Sequence, residues 1–356
     1  MENNQINTLV FDWGNTIMAD DSRNSGKMKD WPDVKAVDGA FHTLQKLSTD
    51  FNLILATNAE DSTSEDIYNA LKRVDLDQFF TQVFTYRELN FKKPDPRYYN
   101  NLLKELDHTP DSVVMIGDDY IKDILGAKQA GWKTIWFNPE EQTVYAQLPL
   151  QDMEVRRLAE IPELLMKPFL PDVQTCLHWY MNLGVTHTLL AHVHNVAAIA
   201  YQIAIWFEQR GYQVSPLLAH RGGLTHDLAK LQKQGDKNHA DLAAEFLVDK
   251  NQDELAEIAR RHLIGDLLSE ETRPQTWEQK IVNYADKLSE GNNLVSLGKR
   301  LAALKQRYPN FVTKIQKNTP LIKSLEQEIV TALEITPEQL MDDLKNSLFN
   351  RNSNFY

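Results

Sequence analysis

The sequence predicts two domains of different class: an α/β doubly wound parallel-sheet domain, then an all-α helical bundle. Three observations carry this reading. Residues 1–140 alternate short runs rich in Val, Ile, Phe and Thr with helical stretches. From about Val173 onward apolar residues recur at helical spacing instead. Between these regions, residues 141–172 contain Pro149, Pro162, Pro168 and Pro171 and read as a linker. A length of 356 residues gives each domain enough chain for its own core.

Five runs account for the sheet: NTLVFD (7–12), FNLILAT (51–57), TQVFTY (81–86), SVVMIG (112–117) and KTIWFN (133–138). Their β-branched and aromatic content suits buried strands. AFHTLQKL and DILGAKQA supply helices between them, and alternation of this kind implies parallel strands covered on both faces. In such sheets ligands bind beyond the C-terminal strand ends. The second domain, 173–350, shows its bundle character in VAAIAYQIAIWF and LAEIARRHL, with PLIKSLEQEIVTALEI as a further amphipathic helix. The tail NSLFNRNSNFY reads as loose.

Composition narrows the function classes. A single cysteine, Cys176, rules out an internal disulfide and fits a reducing, cytoplasmic compartment. The opening MENNQINTLVFDWGN lacks the basic segment of a secretory signal. The most apolar stretch, 196–207, is too short to span a bilayer, so no membrane role is expected. The formal net charge of −12 disfavours non-specific attraction to nucleic-acid phosphates. It leaves room for a phosphorylated small molecule or nucleotide, because a metal and a few local cations dominate a single pocket.

Chemistry-bearing residues in the first domain fall where strands end. Asp12 closes the first strand in FDWGNT and Thr57 the second in LILATN. Lys93 follows the third in FKKPDPRYY, and Asp118 and Asp123 follow the fourth in IGDDYIKD. A parallel sheet brings these positions to one crevice. A carboxylate nucleophile, cationic and hydroxyl phosphate ligands and further acids for magnesium are the parts that phosphoryl transfer needs.

Four such motifs in this order resemble the haloacid dehalogenase superfamily over residues 7–138. The resemblance implies Asp12 as nucleophile and Mg²⁺ ligand, Thr57 and Lys93 as phosphate binders, and Asp118 as a second magnesium ligand. Asp123 would support the metal, and Asn58 would touch substrate beside Thr57. One departure stands out: the superfamily's general acid/base, two residues after the nucleophile, is here Gly14. The gaps at 18–50 and 59–91 also leave no room for a cap domain, so the site is expected to be open, with the second domain as a candidate lid.

Eight of the ten histidines lie between His178 and His262. The stretches AHVHNVAAIA, GLTHDLAK, NHADLAAEFL, ARRHL and VNYADKLSE supply His192, the adjacent His226 and Asp227, then His239, His262 and Asp286. Four imidazoles and two carboxylates without thiolate suit divalent Fe, Mn, Co or Zn. Paired ions of this type clamp a phosphate and activate water near neutral pH. His187, His194 and His220 read as supporting or surface groups, and His42, His108 and His178 as surface histidines.

This set resembles the HD phosphohydrolase superfamily and, over roughly 180–300, is similar to its symmetrical diadenosine tetraphosphatases. The resemblance implies one metal on His192, His226, Asp227 and Asp286, with Asp227 bridging to a second on His239 and His262. Lys230 would lie near substrate phosphates. The implied activity is cleavage of a nucleotide phosphoanhydride, diadenosine tetraphosphate to two ADP. An alternative keeps the metals and opens 2′,3′-cyclic phosphates at RNA ends, the first domain then removing the remaining phosphate. A further alternative makes the first domain a module that binds a phosphorylated ligand without turning it over.

Overall fold

The computed structural model describes residues 6–349, which divide into two compact units. The first runs through β1 (Thr8–Phe11), α1 (Ala40–Leu47), β2 (Asn52–Ala56), α2 (Ser64–Lys72), β3 (Gln82–Phe84), α3 (Tyr86–Leu89), α4 (Pro96–Leu106), β4 (Val113–Gly117), α5 (Gly126–Gln129), β5 (Lys133–Phe137), β6 (Met153–Val155) and α6 (Ile161–Leu164). The strands form one sheet in the order β3-β2-β1-β4-β5-β6, parallel throughout.

The two-residue period of a strand sorts its side chains onto two faces. Leu9, Phe11, Leu53, Leu55, Val114 and Ile116 join Leu44 and Leu47 of α1 and Ile67 and Leu71 of α2 in one core. Val10, Ile54, Ala56, Val113 and Met115 face Tyr98, Tyr99 and Leu102 of α4 in the other. Strand order reverses between β1 and β4, which is where a doubly wound sheet opens its binding crevice. Between β1 and α1 there is only loop and a short turn of helix, and between β2 and β3 only α2 and a similar turn. The domain carries no cap at either point.

Residues 141–172 are not a simple linker. Leu150–Phe169 belongs to the first unit and carries β6 and α6, whereas Val144–Pro149 belongs to the second. β6 pairs with β5, with Met153 opposite Ile135 and Val155 opposite Phe137. The prolines that suggested a connection flank a three-residue edge strand, too short to show periodicity in the sequence.

The second unit contains α7 (Val173–Leu183), α8 (His187–Glu208), α9 (Pro216–Thr225), α10 (His239–Val248), α11 (Asp253–Arg260), α12 (Trp277–Lys287), a two-stranded ribbon of β7 (Ser289–Glu290) and β8 (Asn293–Leu294), α13 (Leu297–Arg307), α14 (Val312–Ala332) and α15 (Pro337–Leu348). By length and composition α8 could cross a membrane, but 72% of its most apolar stretch is buried. A helix apolar on all sides is what a bundle centre requires. Gly223 lets α9 approach it closely: a Cβ there would lie 2.6 Å from the Ala197 Cα. Residues 346–348 of the expected loose tail complete α15, and those after 349 lie outside the described residues.

Candidate functional site

In the first unit, β1 and β4 deliver the central acids. The Asp12 N–H donates to the Ile116 carbonyl (2.9 Å), holding Asp12 at the crevice beside Asp118. Ligand atoms of Asp12, Asp118 and Asp123 lie within 4.8 Å of one another. The Lys93 ammonium is buried among them, donating to Asp12 and to the Asp123 Oδ1 (2.7 Å). Asp123 can stand so close to the strand end because residue 117 is glycine; a Cβ there would meet its carboxylate at 2.2 Å.

Burial works against the Lys93 charge, but Asp12 and then Asp123 hold its pKa well above the ordinary value. Burial and the neighbouring Asp12 charge push Asp118 up to about 6. The same two causes raise Asp123, with the Lys93 ammonium opposing them. Three carboxylates share one ammonium, and this surplus negative charge suits a divalent cation such as Mg²⁺. The three donors are all carboxylate oxygen, the ligand type that Mg²⁺ takes.

The other predicted positions are more varied. Thr57 directly follows β2, its N–H bonded to the Phe84 carbonyl (2.9 Å) and its hydroxyl accepting from Ala59 N–H (3.2 Å). Asn58 is a brace rather than an open substrate contact. Its Nδ2 donates to the Lys93 carbonyl (2.9 Å) and its Oδ1 accepts from Lys93 N–H (2.8 Å), so the amide fixes the lysine backbone. Asp123 also spends its second oxygen internally, on the Asp119 N–H (3.1 Å). Two positioning groups were missed: Thr16, whose hydroxyl donates to the Asp118 Oδ1 (2.9 Å), and Trp136, whose indole N–H donates to the Asp118 carbonyl (2.9 Å). Thr16 sits in the same FDWGNT stretch as Asp12, whereas Trp136 gave no signal beyond strand content.

In the second unit, helix ends converge on Asp227. The Asp227 Oδ2 faces His226 Nε2 (3.6 Å) and His192 Nε2 (3.9 Å), and His192 Nε2 also lies 3.1 Å from Asp286 Oδ1. The Asp227 Oδ1 faces His239 Nε2 (3.1 Å), His262 Nε2 (3.3 Å) and the Lys230 ammonium (3.2 Å). Each of three imidazoles is oriented through its other nitrogen. His226 Nδ1 bonds the Gly223 carbonyl (2.8 Å), His262 Nδ1 the Ala259 carbonyl (2.6 Å) and His192 Nδ1 the Ser289 hydroxyl (3.1 Å).

Burial drives the His226 pKa down to about 3, so its imidazole is neutral, and its buried Nε2 has no hydrogen-bond partner. An unpaired, neutral, buried nitrogen aimed at two carboxylates is the donor a transition metal takes. Burial opposes the charge of Asp227, yet His226 and then His239 hold its pKa well below the ordinary carboxylate value. Asp286 is held low against burial by Lys287, then His192 and Arg300. Ligand atoms of His192, His226 and Asp286 lie within 4.8 Å of one another, as do those of His226, Asp227 and His262.

Sequence reading missed the layer behind these groups. Asn195 Nδ2 donates to the Ser289 hydroxyl (2.9 Å), Lys287 Nζ donates to Asp286 Oδ2 (3.0 Å), and Arg300 lies 3.4 Å from Asp286 Oδ1. Lys287 and Ser289 directly follow Asp286 in VNYADKLSE; Arg300 stands on another helix with no motif to mark it. His220, expected as a supporting or surface group, is fully buried, its Nδ1 2.8 Å from the Arg221 guanidinium. The His192–Asp286 cluster opens into a cavity of about 1030 Å³ lined only by second-unit residues.

A family model for haloacid dehalogenase-like hydrolases matches residues 16–137, and one for the HD domain matches 189–291. The chain joins a haloacid dehalogenase-like domain to an HD domain. The glyceraldehyde 3-phosphate phosphatase of Pyrococcus furiosus is 35% identical over 100 residues, 28% of this chain and 40% of that protein. The pyrimidine 5′-nucleotidase PynA of Streptococcus pneumoniae is 32% identical over 107 residues, 30% of this chain and 44% of that protein. The chain thus spans under half the length of either relative. An uncharacterised protein of Listeria monocytogenes, solved as a crystal structure, is 26% identical with a TM-score of 0.41, covering 45% of this chain and 97% of the other. The HAD-like site carries Gly14 among its motifs, and the HD site carries the divided carboxylate of Asp227.

Proposed function

We propose that the chain is a metal-dependent phosphohydrolase whose HD domain cleaves a nucleotide phosphoanhydride, with diadenosine tetraphosphate to two ADP as the preferred reaction. The observation that carries this reading is the division of the Asp227 oxygens between two imidazole sets. His192, His226 and Asp286 would hold one divalent ion, His239 and His262 a second, and Asp227 would bridge them. Bound ions of this kind polarise phosphoryl oxygens and acidify water. Water adds to one central phosphorus, the bond to its bridging oxygen breaks, and one ADP leaves with the electron pair. Lys230, against Asp227 and 3.3 Å from His239 Nε2, neutralises phosphate charge in the pocket.

The HAD-like domain is proposed as a Mg²⁺-dependent phosphatase acting through an aspartyl phosphate on Asp12, with Asp12, Asp118 and Asp123 around the ion. Lys93 and Thr57 hold phosphate oxygens, and Asn58 keeps the lysine backbone in place. The names of the phosphatase and nucleotidase relatives support phosphate-ester chemistry. Gly14 favours a second reading of this domain, as a holder of a phosphorylated ligand with little turnover, because no side chain there transfers the proton.

The test uses the full chain in an Asp12→Asn background, loaded with Mn²⁺, Co²⁺ or Fe²⁺ and given diadenosine tetraphosphate. Chromatography is expected to show two ADP per substrate. ATP plus AMP would overturn symmetric cleavage, and activity confined to 2′,3′-cyclic nucleotides would move the reading to RNA ends.

A further inference from the structure

The cavity beside Asp227 reaches well beyond the HD match. That match ends at residue 291, yet Arg300, Arg307, Tyr308, Phe311 and Lys314 complete the cavity wall. These residues come from α13, the turn after it and the start of α14. Tyr308 is 44% exposed and Phe311 55% exposed, large rings left to solvent at the mouth of a metal-type pocket. Their centroids are 6.4 Å apart with ring planes at 88°, so one offers a face where the other offers an edge.

Charge follows the same wall. The cavity is lined by five cationic side chains, Lys230, Lys287, Arg300, Arg307 and Lys314, against three carboxylates, Asp227, Asp286 and Glu290. This local excess stands inside a chain of net charge −12. Glu290 fixes two of the cations, pairing with both Arg300 and Arg307. The Lys314 ammonium lies against Gly265, in the loop that follows His262. A phosphate group alone needs none of the aromatic wall, and a purely apolar ligand needs none of the cations.

We propose that Tyr308 and Phe311 form a base-binding subsite, with Arg307 and Lys314 escorting the phosphates of a nucleotide from that subsite to Asp227. The inference rests on the nucleotide reading of the HD site and adds its specificity element. A base stacks on one ring while the second closes its edge, an arrangement that tolerates any base because each has a π-face. The phosphates then run along the cationic wall to the two imidazole sets.

The experiment titrates the full, Mn²⁺-loaded chain and its Tyr308→Ala/Phe311→Ala variant with ADP and with methylenediphosphonate. The second ligand has two phosphorus atoms, no nucleoside and no hydrolysable bridge. Loss of the rings is expected to weaken ADP by about tenfold or more while leaving methylenediphosphonate unchanged. Tyr308→Trp with Phe311 retained is expected to keep ADP affinity, which separates stacking from a folding defect. Equal weakening of both ligands, unchanged ADP affinity in the double variant, or loss of ADP affinity in Tyr308→Trp would each overturn the subsite. Absence of diadenosine tetraphosphate turnover with ADP discrimination intact would overturn the proposed reaction and leave the subsite standing.

Discussion

Replacing Gly14 with aspartate restores the acid/base position that the HAD-like domain lacks, and the local geometry admits it. A Cβ built on Gly14 meets nothing within 4 Å, and its φ lies outside the left-handed region that would strain a side chain. Asp12, two residues earlier, is already paired with Lys93. A positioned proton-transfer group contributes about 10²–10⁴-fold. An aryl phosphate with a good leaving group uses little of the acid role, so the base role in hydrolysing the aspartyl phosphate dominates. The expected gain is therefore about 10–100-fold, at or below the bottom of that range, or about 1.4–2.7 kcal/mol of barrier. The assay is Mg²⁺-dependent phosphate release by the full chain in an Asp227→Ala background, comparing parent, Gly14→Asp and Gly14→Asp with Asp12→Asn. The last is expected to be inactive. A folded Gly14→Asp chain that binds magnesium yet stays within twofold of the parent would refute the reasoning and favour the ligand-holding module.

Asp227→Ala is expected to lose most bound transition metal, and His239→Ala one ion only, because the Asp227 carboxylate faces both imidazole sets; elemental analysis of the folded variants decides it. Cys176 is fully buried and burial pushes its thiol up to about 12, so at pH 8 only about one part in 10⁴ is thiolate. Iodoacetamide is expected to leave it unmodified in the native protein and to label it on unfolding, read by mass spectrometry. Since the folded thiol titrates above its ordinary 9.0, this group stabilises the fold fully below pH 9 and the contribution is lost as pH rises towards 12.

Five strands were legible because each buried run carries apolar residues on both faces, as with Leu9 and Phe11 on one side and Val10 on the other. β6 was not, because three residues at a sheet edge carry no period and adjoin prolines. Positions that the structure brings together were legible, as with Asp12 and Lys93 or the His226–Asp227 pair. Roles set by geometry were not. Asn58 looked like a substrate contact and braces Lys93 instead, and Arg300 reaches Asp286 from a helix fourteen positions later.

The excursion of Val144–Pro149 into the helical unit has a consequence for synthesis on the ribosome. Ala146 is buried in that unit's core, Gln147 donates to the Leu348 carbonyl (2.9 Å), and the Pro149 carbonyl accepts from Arg221 (3.0 Å). All six strands have been made by residue 155, so the sheet can close around β6 while this segment still has no partner. Leu348 arrives 201 residues after Gln147, which at roughly 5–20 residues per second is about 10–40 s. For the first part of that interval, until Arg221 is made 72 residues after Pro149, a nascent chain with a finished sheet displays a short apolar loop between its last two strands.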